Sequence, residues 1–210
     1  TGQCGEISLP DLDSCRLLAI NLFNYVEKPF TKDAYFNWSK FRKDVRKAQK
    51  LMDDLVDLEI EKVDKIIDKI NSSDEDEHLK FRERNLWENI KRKGIEARRT
   101  GLGITAEGDM LAALGFTYGT EEATDFSEYL HKNLAVESYI ASINMAKVRG
   151  SFDIWDYNKE KDNPFINRIF GAIEDIYGKD VKDDIWYDYY GFGRRNIANL
   201  TIAPTGTVSL

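Results

Sequence analysis

The chain has 210 residues, 42% hydrophobic and 32% charged, with 37 acidic against 30 basic side chains and a formal net charge of −7. That is the balance of an ordinary folded domain, and it argues against a basic nucleic-acid surface as the chain's main business. No apolar run is long enough to span a bilayer, and two cysteines with two histidines make neither a disulfide scaffold nor a zinc cluster, which fits a reducing, cytoplasmic setting.

The chain opens on Gln3-Cys4-Gly5-Glu6-Ile7-Ser8-Leu9-Pro10. In an extended segment, side chains two apart point the same way, so Cys4 and Glu6 face one cavity. Gly5 between them lets a backbone or ligand approach closely. A thiol beside a carboxylate can act as a redox or radical centre next to a general base. The same letters also describe a buried cysteine and a surface glutamate. Residues 10–14 form a turn-rich connection, and 15–23 read as a buried strand running into a loop. Cys15 follows Cys4 at a distance that allows the two sulfurs to meet without requiring it.

Residues 29–33 read as a helix start with Thr31 or Asp33 as the cap. From 37 to 70, apolar residues recur at helical steps, among them Phe41, Val45, Met52, Val56, Val63 and Ile70. Asp53 and Asp57 share a face of that helix. Without a Glu-x-x-His partner they are read as solvated or structural carboxylates rather than a metal pair. An acidic break at 71–77 separates this helix from a second one over about 79–97.

Arg98-Arg99-Thr100-Gly101-Leu102-Gly103-Ile104-Thr105 follows, and its two glycines meet neither nucleotide fingerprint. They fit either a backbone held close to another chain segment or to a ligand, or a strand packed tightly under a helix. A short helix over 109–114 ends at Gly115, a long one runs from a Thr120 cap to 149 before Gly150, and another starts at Asn163-Pro164. The aromatic cluster at 186–190 reads as core or interface, and His78 and His131 as solvent-facing. Finally, an apolar strand over 197–203 runs into a small hydroxylated loop. Such a loop offers N–H and hydroxyl groups to an oxyanion, although a plain strand-to-helix turn has the same letters.

Four of these stretches together resemble one family, the catalytic (large) subunit of ribonucleotide reductase. They are Cys4-Gly5-Glu6, Cys15-Arg16-Leu17-Leu18-Ala19-Ile20-Asn21-Leu22, Arg98-Arg99-Thr100-Gly101-Leu102-Gly103, and Ile202-Ala203-Pro204-Thr205-Gly206-Thr207-Val208-Ser209. They occur in the family's order and bracket almost the whole chain. The resemblance implies an α/β fold, part of the family's ten-stranded α/β barrel, helix-rich between its strands. It implies a single internal fragment over 1–210, with a finger loop at 1–9 and a phosphate-binding loop at 204–209.

Carried over by position, Cys4 corresponds to the fingertip cysteine that becomes a thiyl radical and abstracts the 3′-hydrogen of the ribose. Glu6 corresponds to the carboxylate that takes the 3′-hydroxyl proton, and Cys15 to one of two cysteines that supply reducing equivalents. The partner of Cys15 would lie upstream of Thr1, so a Cys4–Cys15 disulfide is not expected. Pro204, Thr205, Gly206, Thr207 and Ser209 match the loop that holds the substrate's diphosphate. The sequence departs from the family at Gly2, where an asparagine amide usually helps hold the ribose hydroxyls.

The wording around Cys4 and after Arg99 looks closer to the adenosylcobalamin-dependent branch than to the branch that takes its radical from a separate metal-containing subunit. The expected partners are a ribonucleotide substrate and a thioredoxin- or glutaredoxin-type reductant, with a homodimer or a radical-generating subunit as further possibilities. Neither nucleic acid nor membrane is expected. The rival readings are a nucleotide-binding or regulatory homologue that has lost catalysis, favoured by Gly2, and a simple thiol redox protein, which the lack of a Cys-x-x-Cys motif disfavours.

Overall fold

The structure, a computed structural model, describes residues 7–204. It is built on two parallel strands, β1 (Arg16–Asn21) and β4 (Thr100–Thr105), paired in register from Arg16↔Thr100 to Asn21↔Thr105. Parallel neighbours need a crossover. Here it is a pair of long helices, α1 (Trp38–Ser72) and α2 (Glu77–Ala97). Before α1 the chain makes a 3₁₀ turn (Leu22–Tyr25) and a small antiparallel pair, β2 (Val26–Glu27) with β3 (Tyr35–Phe36).

The helix start expected at 29–33 is therefore corrected. Backbone at Tyr35 and Phe36 is extended in the β2–β3 pair, so the helix cannot begin before residue 37. Thr31 Oγ1 donates to the Lys28 carbonyl at 2.7 Å instead, closing a turn, and Asn37 caps α1 by accepting from Lys40 N at 3.1 Å. The side-chain preference for capping was sound, but the residue that caps is the one where sheet pairing ends.

After β4 come α3 (Glu107–Leu114), α4 (Glu121–Arg149), the single turn α5 (Tyr157–Glu160), α6 (Pro164–Tyr177) and α7 (Lys179–Phe192). Thr120 caps α4 through Ala123 N, Gly115 closes α3 with a left-handed residue, and Asn163 with Pro164 opens α6. Helix α4 is the spine. Its first half packs Leu130 and Leu134 into a core with Leu22, Phe41, Met52 and Leu102. Its second half packs Val136, Tyr139 and Ile143 against Ile169, Ile173 and Tyr189 from α6 and α7. The aromatic stretch in α7 thus divides: Tyr189 is core, while Tyr187 and Tyr190 are exposed.

The strand expected over 197–203 forms only in part. It makes one parallel bridge to β4, Leu102↔Leu200, with Leu102 N donating to Asn199 O at 2.7 Å and Thr201 N to Leu102 O at 3.1 Å. Its upstream carbonyls, Asn196 O and Ile197 O, accept from the Arg194 guanidinium instead of from a strand. The result is a three-strand parallel arrangement in the order β1, β4, 197–203, with helices covering one face. That is the local pattern of an α/β barrel wall. No helix among the described residues is long and apolar enough to cross a membrane.

Candidate functional site

Alternation along the strands sorts the side chains by face. Leu102 and Ile20 point to the helices and are buried in the core. Leu17, Ala19, Gly101 and Gly103 point the other way, to an open inner face, joined by Thr201 and Ala203 of the third segment. Leu17 is half exposed there.

Cys15 belongs to this face. A Cβ built on Gly101 would lie 2.4 Å from Cys15 Sγ and 2.7 Å from Thr201 Cγ2, and one on Gly103 would lie 2.4 Å from the Thr201 carbonyl oxygen. Both separations are impossible for real carbon atoms. The glycines are therefore spent on a close approach between neighbouring strands, with the Cys15 sulfur occupying the space a side chain would fill. Of the readings left open for them, close approach to another chain segment holds, rather than packing under a helix. Gly101→Ala is expected to push the sulfur aside, lower stability by about 1–3 kcal/mol and change the alkylation rate of Cys15. Wild-type values for both would refute the steric argument.

Thr201 stands beside the Cys15 sulfur, and Pro204 follows it three residues further along the chain. Cys4, Glu6, Thr205, Gly206, Thr207 and Ser209 lie outside the described residues.

The segment carrying Pro204 is anchored by charge. Asp53 of α1 is fully buried. Its Oδ1 accepts from Arg98 Nε at 2.8 Å and Asn196 Nδ2 at 3.0 Å, and its Oδ2 from Arg149 Nη1 at 3.0 Å and Arg195 Nε at 3.2 Å. Asn196 in turn accepts from Gln49 and Ser142 and donates to the Arg98 carbonyl. Burial by itself pushes the Asp53 carboxyl up, but the bonds from Arg98 and Arg195 overrule it and hold it below the ordinary carboxylate range. Arg98 sits in the left-handed region at φ 46°, an unfavourable conformation for a residue with a side chain, held there by Asp53 and Asp57.

Asp53, Asp54 and Asp57 do converge, their oxygens lying within 4.8 Å of one another. Arg98 and Arg149 occupy that space, so the carboxylates are structural, in agreement with the sequence reading. A second buried cluster completes the anchor. Glu160 pairs with Arg194 and accepts from Tyr189 Oη at 2.8 Å and Trp155 Nε1 at 3.2 Å. Burial first, then the Glu160 charge, push the Tyr189 hydroxyl well up, so it stays a neutral donor.

A wider cleft of about 910 Å³ opens at the carboxyl ends of β1 and β4, lined by Asn21, Thr105, Glu107, Asp109, His131 and Ile202. His131 is half-buried rather than fully solvent-facing, its Nε2 lying 3.3 Å from Glu107 Oε2. That contact is the main reason the Glu107 carboxyl lies below its usual range, ahead of the opposing push of burial. His78 is exposed, as expected.

Sequence reasoning missed the anchoring network and the role of Thr201. The network joins residues up to 147 positions apart and leaves no local pattern. Thr201 had a signal, its alternation with Leu200 and Ala203, which the apolar reading of that strand passed over.

Comparison with known proteins agrees with this geometry. A family profile described as ribonucleotide reductase, barrel domain, matches residues 1–210. The chain is 28% identical over its whole length to a vitamin B12-dependent ribonucleoside-diphosphate reductase of Thermoplasma acidophilum, covering 20% of that protein. It is 24% identical over its whole length to the protein of the same name in Mycobacterium tuberculosis, covering 22% of it. Over 129 residues, 57% of this chain, it is 27% identical to the ribonucleoside-diphosphate reductase subunit alpha of Chlamydia pneumoniae, covering 12% of that subunit. The chain thus spans about a fifth of the length of the relatives it matches end to end. A parallel barrel wall with a cysteine set into its glycine-lined inner face, matched along its entire length by that one profile, is a part of the large-subunit barrel, and the chain belongs to the ribonucleotide reductase barrel-domain family.

Proposed function

We propose that this chain is the catalytic part of a ribonucleotide reductase that converts ribonucleotides to 2′-deoxyribonucleotides by thiyl-radical chemistry. The observation that carries the reading is Cys15 on the inner barrel face, just before β1, packed on Gly101 of β4 beside Thr201 of the segment that leads into Pro204. In this reading the Cys4 radical takes the 3′-hydrogen and Glu6 takes the 3′-hydroxyl proton, and both are returned to the 3′ position at the end of the cycle, which regenerates the radical. The 2′ C–O bond breaks and its oxygen leaves as water. Two electrons and two protons come from Cys15 and a second cysteine outside this sequence, which close to a disulfide. A thioredoxin- or glutaredoxin-type dithiol then reopens that disulfide. Residues 204–209 hold the diphosphate.

The names of the relatives support adenosylcobalamin as the radical source. The inner-face lining, Leu17, Ala19, Gly101, Gly103, Thr201 and Ala203, is uncharged. When bound, the cofactor supplies the unpaired electron; this chain's residues place the thiols and the sugar. A catalytically silent nucleotide-binding homologue is the second reading, favoured by Gly2 where the family has an amide.

The test is CDP reduction by the full-length protein under anaerobic conditions with a dithiol, with and without adenosylcobalamin. Deoxycytidine diphosphate formed only with the cofactor is the expected result. CDP that binds but is never reduced, with the cofactor or with a cell extract of the source added, would establish the silent homologue.

A further inference from the structure

Two polar side chains of the last segment are buried with nothing to bond. Thr201 is 4% exposed and its Oγ1 has no hydrogen-bond partner among the described residues. Asn199 is 1% exposed, and neither its Nδ2 nor its Oδ1 has one. Native structures leave few buried polar groups unsatisfied, because each such group destabilises the fold. On the helix side of the same wall Gln49 Oε1 also lacks a partner among the described residues, but the other polar groups are bonded. There Thr100 Oγ1 accepts from Gln49 and donates to the Ala198 carbonyl, while Asn196 makes bonds to Gln49, Ser142, Asp53 and the Arg98 carbonyl.

Leu200, between the two orphans, packs into both cores, so alternation turns Asn199 and Thr201 to the opposite, inner face. For Thr201 this is direct. Its Cγ2 approaches the same point over Gly101 that Cys15 Sγ approaches, leaving the hydroxyl for something else. The surrounding wall is neutral: Leu17, Ala19, Gly101, Gly103 and Ala203. The nearby guanidiniums are committed elsewhere, Arg98 and Arg195 to Asp53, Arg194 to Glu160 and Arg99 to Asp13. A phosphate here would meet no positive charge. A neutral group that both donates and accepts fits, and a hydroxyl beside a carboxamide offers a sugar hydroxyl and a base edge their complements.

We propose that Thr201 and Asn199 bind the nucleoside half of the ribonucleotide, beside Cys15, as affinity determinants of the substrate site. The proposal rests on the reductase reading above.

The experiment measures equilibrium binding of CDP and of inorganic pyrophosphate to the full-length protein, together with its ligand-free thermal unfolding. Thr201→Val and Asn199→Leu should each weaken CDP binding about five- to tenfold, since each deletes a hydrogen bond to the ligand. Pyrophosphate binding should not change, and the ligand-free unfolding temperature should rise, because an unsatisfied buried group is gone. Thr201→Ser, which keeps the hydroxyl, should bind CDP within about twofold of wild type. Wild-type CDP affinity in both deletion variants overturns the nucleoside contact and leaves the reductase reading standing. If those variants also unfold at lower temperature, the partner of these groups is protein rather than substrate. A wild-type protein that binds no CDP at all overturns the reductase reading and this proposal together.

Discussion

Replacing Cys4 with serine in the full-length protein is expected to abolish ribonucleotide reduction, a loss of at least about 10⁴-fold if the thiol carries the radical, while CDP affinity stays near wild type. A serine hydroxyl is isosteric but holds its hydrogen too tightly to exchange it with a ribose C–H. The control is Cys15→Ser, in which the redox pair cannot close. Thiyl chemistry can then begin, but a single remaining thiol cannot give up two electrons and close to a disulfide, so no deoxyribonucleotide should form with a dithiol that depends on the pair. Cleavage of the 3′ C–H bond, followed with 3′-tritiated CDP, separates the two variants: none for Cys4→Ser, tritium release without deoxyribonucleotide for Cys15→Ser. Sustained turnover by Cys4→Ser would remove it from the radical role, and sustained turnover by Cys15→Ser with such a dithiol would remove it from the reducing pair. The structure adds a reason for the second outcome to be sharp, because Cys15 Sγ is boxed by Gly101 and Thr201 and no other described cysteine can take its place.

The second large effect concerns stability. Asp53→Asn leaves three guanidiniums, Arg98, Arg149 and Arg195, around a buried neutral amide. Removing one partner of a buried charge cluster costs about 3–5 kcal/mol, and the denaturant midpoint of the barrel should fall accordingly. Because Asn196 also bonds Asp53, the segment leading to Pro204 should loosen too, raising KM for CDP more than it lowers kcat. The pH dependence has a definite sign. A carboxyl whose folded pKa is depressed contributes stability that is complete above its unfolded value, near pH 4, and is lost as pH falls through the lower folded value. Wild type should therefore lose this contribution in acid, and Asp53→Asn should show a flatter stability profile there. Parallel acid limbs for the two proteins would rule out Asp53 as the titrating group.

Much of the fold was legible because its elements are locally coded. The 3.6-residue spacing from Phe41 to Ile70 and the caps at Thr120, Gly115 and Asn163 each state their helix within a few residues of sequence. The start of α1 was misplaced because Thr31 is as good a capping side chain as Asn37, and only the pairing of Tyr35–Phe36 with Val26–Glu27 decides between them.

For the site, the residue types were written in the chain: a thiol at Cys15, glycines at 101 and 103, and an extended run ending at Pro204. What only the tertiary structure decided is adjacency. Cys15 and Gly101 are 86 positions apart, and Thr201 lies a further 100 along, yet the three share one point in space because parallel pairing stacks β1, β4 and the last segment in register. The same holds for Asp53, whose carboxylate reads as surface on a helical wheel. It is buried because arginines from β4's approach, the end of α4 and the last segment converge on it. Periodicity is a property of neighbours in sequence, whereas desolvation and charge pairing are set by neighbours in space.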